Sequence, residues 1–280
     1  MTTTASSADA LAARVAEHSW YHTLELAPGV VTPGWFDLRP AARIVPLPES
    51  LEGKRCLDVG TWDGFWAFEM ERRGAAEVVA IDIDDPDAWD WPPHTRLGDD
   101  EEERLAFLAG FKSNAASFRL AHEALGSKVE RINLSVYDLS PERVGTFDVV
   151  FLGSLLLHLR DPVLALDRLR SVCRGEAVIA DNIDAFPTIL RPRTPVARLE
   201  GLDRSWWWQP NRAALLRMVQ SAGFEILEAT RMYFVKTGPA HPFPPLTGIF
   251  RALLSARGRE QIVVRFLGVP HAAVRARPVG

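Results

Sequence analysis

The run Arg55-Cys-Leu-Asp-Val-Gly-Thr-Trp-Asp-Gly-Phe-Trp, followed by Val78-Val-Ala-Ile-Asp82, constrains this chain more than any other stretch. It reads as a buried strand, a glycine-containing turn, a helix, and a second buried strand ending in an acid. Gly60 and Gly64 let the backbone turn tightly and come close to a ligand with no Cβ in the way. Asp82 stands 22 residues after Gly60, the distance at which a carboxylate reaches both hydroxyls of a ribose. These are the needs of a nucleoside-containing cofactor at the carboxyl edge of a parallel sheet.

A dinucleotide site places a pyrophosphate on the helix N-terminus and therefore shows Gly-x-Gly-x-x-Gly. Here the pattern is Asp58-x-Gly60-x-Trp62-x-Gly64, with no glycine where a pyrophosphate must approach. It resembles the Asp-x-Gly-x-Gly-x-Gly first motif of class I S-adenosylmethionine (SAM) methyltransferases, with Trp62 replacing the middle glycine. SAM carries no phosphate, so a bulky residue in that turn is tolerable. The resemblance implies that Asp58, Gly60, Thr61 and Trp62 surround the methionine part through the turn, and that Asp82 and Ile83 flank the ribose. Val136 and Tyr137 would enclose the adenine, and Gly153 and Ser154 would line the sulfonium end. The expected product is S-adenosylhomocysteine (SAH).

Composition agrees with a well-cored domain: 280 residues, 47% hydrophobic and 24% charged. A net charge of −4 gives no general pull toward nucleic acid or membrane. Cys56 and Cys173 sit in apolar runs without metal-ligand spacing, so they read as buried thiols and no metal is expected. No apolar run approaches the roughly 20 residues of a membrane span. The start, Met1-Thr-Thr-Thr-Ala-Ser-Ser, lacks the pattern of a signal peptide, and a cytoplasmic location is expected.

Order along the chain predicts an α/β fold with a doubly wound, mostly parallel, seven-stranded sheet. A cap segment over 1–50 precedes a cofactor-binding domain over 51–280. The cap holds a helix over Ala8–His18, then an irregular aromatic stretch from Trp20 to Pro48. Strands are expected at Cys56–Val59, Val78–Ile83, within Val129–Val136, at Phe147–Leu152, Glu176–Ile183 and Phe224–Arg231, and near Gln261–Leu267. Helices are expected at Phe65–Arg73, Ala115–Leu125, Pro162–Cys173 and Arg212–Ala222. Two insertions interrupt the alternation. The first, 84–104, carries nine acids against two arginines and reads as a solvated face, with Trp89 and Trp91 as a rim or lid. The second, 185–210, follows a strand expected to end at the active edge and holds Arg191, Arg193, Arg198, Arg204 and Trp206-Trp-Trp. Long loops at such an edge usually serve function.

Methyl transfer from a sulfonium is an in-line displacement that needs a held donor, an aimed nucleophile and sometimes a base. His158, in Leu155-Leu-Leu-His-Leu-Arg-Asp-Pro, is the best-placed histidine for acid–base work, although a lone His among leucines is more often structural. Tyr21 and His22 are further candidates. Arg198 and Arg204 suit an anionic acceptor, and Trp206, Trp207 and Trp208 suit a flat, apolar or cationic one, because three consecutive Trp cannot all enter one core.

From about Trp20 to Met232 the chain resembles one branch of these methyltransferases, that of the bacterial tRNA wobble-uridine carboxymethyltransferase. Trp20-Tyr-His is similar to that family's Trp-Arg-Lys, and Phe151-Leu-Gly-Ser-Leu-Leu-Leu-His-Leu-Arg-Asp-Pro to its Phe-Ser-Met-Gly-Val-Leu-Tyr-His-Arg-Arg-Ser-Pro. Arg204-Ser-Trp-Trp-Trp-Gln-Pro is similar to its Arg-Asn-Val-Tyr-Phe-Ile-Pro. The resemblance implies that the stretch through Trp35 and Arg39 folds over the cofactor. The family holds the extra carboxylate of a carboxylated SAM partly with the Lys and the Tyr of those motifs, and here those positions hold His22 and Leu157. No counterpart of the family's longer N-terminal extension is expected in this chain. The expected activity is methyl transfer from ordinary SAM to an O, N or C atom of a small acceptor, by a monomer or homodimer. Two alternatives stay open: a tRNA-modifying enzyme, favoured by six arginines against one acid in 251–280, and a SAM-binding protein that is not a catalyst.

Overall fold

The computed structural model describes residues 7–92, 115–202, 206–241 and 262–279. Its centre is a sheet whose strands are buried on both faces, which is why they read as near-continuous apolar runs. The first three are β4 (Arg55–Val59), β5 (Glu77–Asp82) and β6 (Glu130–Asn133), after a small hairpin β1 (Glu25–Ala27) and β2 (Val30–Val31) and a two-residue β3 (Phe36–Asp37). Then come β7 (Phe147–Gly153), β8 (Cys173–Asn182), β9 (Ala197–Leu199), β10 (Trp208–Pro210), β11 (Phe224–Ala229), β12 (Tyr233–Thr237) and β13 (Val269–Pro278). The period of two in a strand sends alternate side chains to opposite faces. Cys56, Val78, Ala80, Val149, Phe151 and Val178 join one apolar cluster, with helix Phe65–Arg72 and the cap. Leu57, Val79, Ile81, Val150, Leu152 and Ile179 join the other, with helices Pro162–Val172 and Arg212–Ser221.

Strand order in the main sheet is β3-β12-β13-β8-β7-β4-β5-β6, with β11 also pairing β13. The five strands from β8 to β6 are parallel, and β13 runs antiparallel to β8. The chain moves outward from β4 to β5 and β6, then returns to β7 on the other side of β4. That reversal is the topological switch point, where a crevice opens at the carboxyl ends of the strands. Gly60, leaving β4, and Leu155, just after β7, meet across it: a Cβ on Gly60 would lie 3.2 Å from Leu155 Cδ2.

The sheet differs from the expected one at its far edge. The segment expected as a strand near Gln261–Leu267 is helical over 262–266, and the strand that completes the sheet is β13. A short apolar run fits either a strand or a buried helix, and only long-range pairing separates them. β13 pairs β11 through its C-terminal half and β12 through its start, so one ten-residue strand serves two partners. The third parallel strand is shorter than its apolar run, and Val136–Asp138 forms a single 3-10 turn beyond it. Helix Ala116–Leu125 ends at Gly126 as the spacing predicts.

The N-terminal helix spans Ser7–Ala16 and buries Val15. Trp20 is 1% exposed and donates its indole N–H to the Val15 carbonyl. The following aromatic stretch is sewn into the sheet, because β3 pairs β12. Arg73 clamps it from the other side, donating to the carbonyl oxygens of Ala42, Leu47 and Pro48. Gly34 permits a close approach within the cap: a Cβ there would sit 2.2 Å from the His22 carbonyl carbon. The Gly34→Ala variant is therefore expected to lose about 1–3 kcal/mol of unfolding free energy by forcing the cap backbone outward. Urea denaturation checks this; an unchanged midpoint would contradict the close docking of the cap.

Candidate functional site

The turn that leaves β4 is shaped by two backbones in the left-handed region. Gly60 has φ +78°, and both Gly60 and Thr61 donate their N–H to the Ile81 carbonyl, at 2.9 and 3.1 Å. Trp62 has φ +48°, a conformation that an L side chain rarely adopts and that neighbouring structure must impose. Two contacts impose it. Its N–H donates to Asp82 Oδ2 at 2.7 Å, and its ring stacks on Tyr21 with centroids 4.4 Å apart. Asp82, 7% exposed at the end of β5, accepts the Ile83 N–H on its other oxygen at 2.8 Å. Its carboxylate is thus fixed at the crevice by one backbone donor per oxygen.

Asp58 holds the start of the helix that follows the turn. It is 2% exposed, and its Oδ2 accepts the Ala67 N–H at 3.1 Å. Gly64 stands at the N-cap of helix Phe65–Arg72 and has no side chain to cap it, so a carboxylate from the strand satisfies one of the orphan donors. Burial pushes the Asp58 carboxyl up to about 7. Thr61, 2% exposed, is likewise interior.

Asp63, not singled out in the sequence, is the tie at the centre of the site. It is fully buried. Its Oδ2 accepts the backbone N–H of Tyr21 at 2.6 Å and of His22 at 2.8 Å, and its Oδ1 accepts the Ser117 hydroxyl at 2.6 Å. One carboxylate therefore joins the cap, the turn and helix Ala116–Leu125. Burial raises its pKa to about 6 against the pull of these bonds. His22 is 7% exposed, with Nδ1 4.0 Å from Asp63 Oδ2, and burial holds its pKa down at about 3, so the ring is neutral at pH 7. Tyr21 is surrounded by Trp62, Phe36, Trp35 and His22, and burial beside Asp63 and Asp181 keeps its phenol protonated.

The described part of the first insertion, 84–92, turns its tryptophans inward as a rim. Trp89 lies 6.3 Å from Trp62 and 5.0 Å from Trp91, ring to ring. Asp90 latches it down: its Oδ2 accepts the Tyr137 hydroxyl at 2.7 Å and the Arg160 N–H at 2.6 Å, and its carbonyl accepts the Trp207 indole N–H at 2.6 Å. Burial and that bond to Asp90 raise the Tyr137 phenol. Tyr137, Trp207 and the insertion are thereby brought together, and Val136 beside them is buried. Trp208 donates to the Arg160 carbonyl at 3.1 Å. Residues 93–104 of this insertion lie outside the described residues.

At the end of β7, Ser154 has φ +51° and is half-buried. Asp181, 1% exposed, accepts the N–H groups of Leu155 and Leu156 at 3.1 and 2.8 Å and so holds the turn that carries His158. Burial pushes Asp181 up to about 7. Ser154 Oγ lies 3.0 Å from Nε2 of His271, on β13, and His271 Nδ1 lies 3.0 Å from the Val269 carbonyl oxygen. Asp181 and His271 were invisible to motif reading because their partners lie 25 and 117 residues away.

The described arginines of the second insertion fall into two groups. Arg198 lies on the β9–β10 ribbon, paired with Asp184 and Glu200 and bonded to Gln209, so its charge is already answered. Arg191 and Arg193 are exposed. Arg204 lies outside the described residues, and Trp206 is half-buried at the start of the ribbon's second arm. Asn211, fully buried, shapes the insertion by donating to the Pro187, Arg191 and Thr194 carbonyls. Among the described residues no group of three or more His, Cys, Asp or Glu is placed to hold a metal ion, and no helix is long and apolar enough to cross a membrane.

Comparison with known proteins follows the same residues. A methyltransferase-domain family model matches residues 36–229. The tRNA U34 carboxymethyltransferase of Pseudomonas aeruginosa (strain LESB58) is 31% identical over 187 residues, covering 65% of this chain and 48% of that protein. Its counterpart in Pseudoalteromonas translucida is 28% identical over 187 residues, again 65% and 48%. The chain thus spans about half the length of the curated relatives it matches. Among solved structures, the N-terminal domain of EvdMO1, crystallised in the presence of SAH and D-fucose, superposes with a TM-score of 0.53 at 16% identity, over 100% of both chains. That likeness is one of fold.

Removing the Asp63 carboxylate strands two backbone donors and a hydroxyl away from water. Asp63→Ala is expected to cost about 2–4 kcal/mol of stability and to expose the segment around Tyr21 to limited proteolysis. Urea denaturation and protease digestion followed by mass spectrometry check both effects. Wild-type stability together with an uncut cap would contradict the assignment.

Proposed function

The chain belongs to the methyltransferase-domain family, and from that premise we propose that it moves a methyl group from SAM to a small acceptor. The observation that carries this reading is the fixed Asp82 carboxylate beside the Gly60–Trp62 turn, at the switch point of a parallel sheet. Trp62 stands where a pyrophosphate site needs glycine, which suits a cofactor without phosphate. SAM supplies a methyl group on a positively charged sulfur. The chain's own residues do the rest. The backbone of Gly60 and Thr61 would face the methionine part, and Asp82 would accept the ribose hydroxyls. Ile83 would flank the ribose beside Asp82, and Val136 and Tyr137 would flank the adenine, with the Asp90 latch closing that side. Gly153 and Ser154 would line the reacting end. Tyr21 and Trp35, on the cap, would cover it and exclude water, as Trp62 and Trp89 extend the same wall.

Ordinary SAM, rather than a carboxylated one, is supported by the two positions that depart from the carboxymethyltransferase motifs. His22 is buried and neutral, and Leu157 is 8% exposed and apolar. Neither offers a charge or a strong donor to an extra carboxylate, and leaving such a charge unpartnered is costly. The tRNA reading draws on the named relatives. The described part of the basic C-terminal stretch argues against it, because Arg275 pairs with Glu176 and Glu228, and Arg277 with Glu225.

Asp82→Ala is expected to weaken SAM binding at least about tenfold, since each hydrogen bond to a charged group contributes about 1.5–3 kcal/mol. Calorimetric titration measures it, and equal affinity in the variant would contradict the site. In the same titration carboxy-SAM is expected to bind at least about tenfold more weakly than SAM to the wild type; the reverse preference would return tRNA to first place. A tRNA enzyme would also retain tRNA with an affinity that falls steeply as salt rises, and no such retention is expected.

A further inference from the structure

Ser154 and His271 form a pair whose protons can be placed from the structure alone. The Val269 carbonyl only accepts, so the His271 nitrogen facing it, Nδ1, carries the ring proton. A neutral imidazole then has a bare Nε2, and the group 3.0 Å away, the Ser154 hydroxyl, must donate to it. Burial keeps that ring neutral, with a pKa of about 4. The strands packed against it carry Asp181 and Tyr233 at its level, the Tyr233 ring 6.0 Å from the imidazole, and further along them Cys173, Arg174 and Glu176 on β8 and Lys236 on β12.

A hydroxyl has one proton and two acceptor lone pairs. With its proton committed to His271, Ser154 presents only lone pairs to the crevice. Its place there follows from its neighbours: Gly153 ends β7, and Leu155 packs against Gly60. Its left-handed backbone, at φ +51°, is the kind of local strain that accumulates where a side chain is aimed.

We propose that Ser154, locked by His271, receives the acceptor, and that the acceptor atom is a neutral hydroxyl oxygen. The proposal rests on the methyl-transfer reading above. A carboxylate has no proton to offer and would meet lone pairs with lone pairs. A hydroxyl donates its proton to Ser154 Oγ, which turns a lone pair of its oxygen toward the methyl carbon. That oxygen forms the new C–O bond as the C–S bond breaks and its electron pair returns to sulfur. The proton of the now three-bonded oxygen passes to Ser154 Oγ, and the Ser154 proton passes to His271 Nε2. The products are the methyl ether, SAH and a protonated His271 that releases its proton to solvent. In this scheme Ser154 touches the acceptor, and His271 is a positioning residue acting through it.

The test uses the full-length wild type, Ser154→Gly and His271→Phe. Glycine accepts the left-handed backbone, so S154G removes the hydroxyl without adding strain. Each protein is given SAM with matched series of alcohols and phenols, carboxylic acids and amines, and methylated products are read by mass spectrometry. SAM affinity is measured by calorimetry in parallel, and the His271 tautomer by 15N NMR of the SAH-loaded wild type. The expected result is product from hydroxyl compounds and none from carboxylic acids, at least a tenfold lower turnover in S154G at saturating SAM, and a ring protonated on Nδ1 from pH 5 to 8. H271F frees the Ser154 proton and is expected to narrow the discrimination against carboxylic acids. Product from acids or amines but not from hydroxyls, no hydroxyl product although SAM binds, wild-type turnover in S154G, or a ring protonated on Nε2 would each overturn the proposal. A wild type that does not bind SAM would overturn the methyl-transfer reading itself.

Discussion

The bond set around the Asp63 carboxylate is the constraint on which the rest of this structure depends. An ionised group without solvent is costly unless every acceptor site finds a donor, and here the donors come from three separate parts of the chain. The carboxylate thereby decides where the cap lies, and the cap decides what the crevice looks like. Tyr21, carried by one of the bonded backbone groups, stacks on Trp62 and helps hold that residue in its left-handed conformation. Asp58 and Asp181 work in the same way, capping a helix and shaping the turn after β7. The carboxyl edge of the sheet is built by buried acids that read backbone N–H groups, and Asp82 presents the remaining one at the crevice.

Legibility in the sequence followed the range of the interactions involved. The parallel strands were readable because burial on both faces leaves uninterrupted apolar runs such as Val78–Ile81. The Gly60 turn and Asp82 were readable because their chemistry is local to one βαβ unit. The last strand was not. Val269–Pro278 contains two prolines and two arginines, whereas the apolar 261–267 run has the composition of a strand and winds as a helix over 262–266. Within the site the missed residues share one property. Asp63, Asp90, Asp181 and His271 act on partners between 25 and 117 residues away, and no spacing rule records such a distance.

Two positions in the crevice depart from the carboxymethyltransferase motifs that the chain resembles. At the two positions where a carboxylated donor needs a cation and a hydroxyl, burial makes His22 neutral and Leu157 offers only carbon. Elsewhere the edge is rich in aromatic rings, from Tyr21 and Trp35 through Trp62 to Trp89 and Trp91. Such a wall excludes water and covers flat or apolar surface. Arg198, Arg275 and Arg277 are each paired with acids, which accords with the small acceptor proposed above.

Amide hydrogen exchange with and without SAH tests the central claim most directly, because it asks the backbone where the cofactor lies. The account predicts slowed exchange at Gly60–Gly64, Asp82–Ile83, Val136–Tyr137 and Gly153–Leu155, with the amino ends of the strands unchanged. Protection confined to other surfaces, or no protection at saturating SAH, would contradict it.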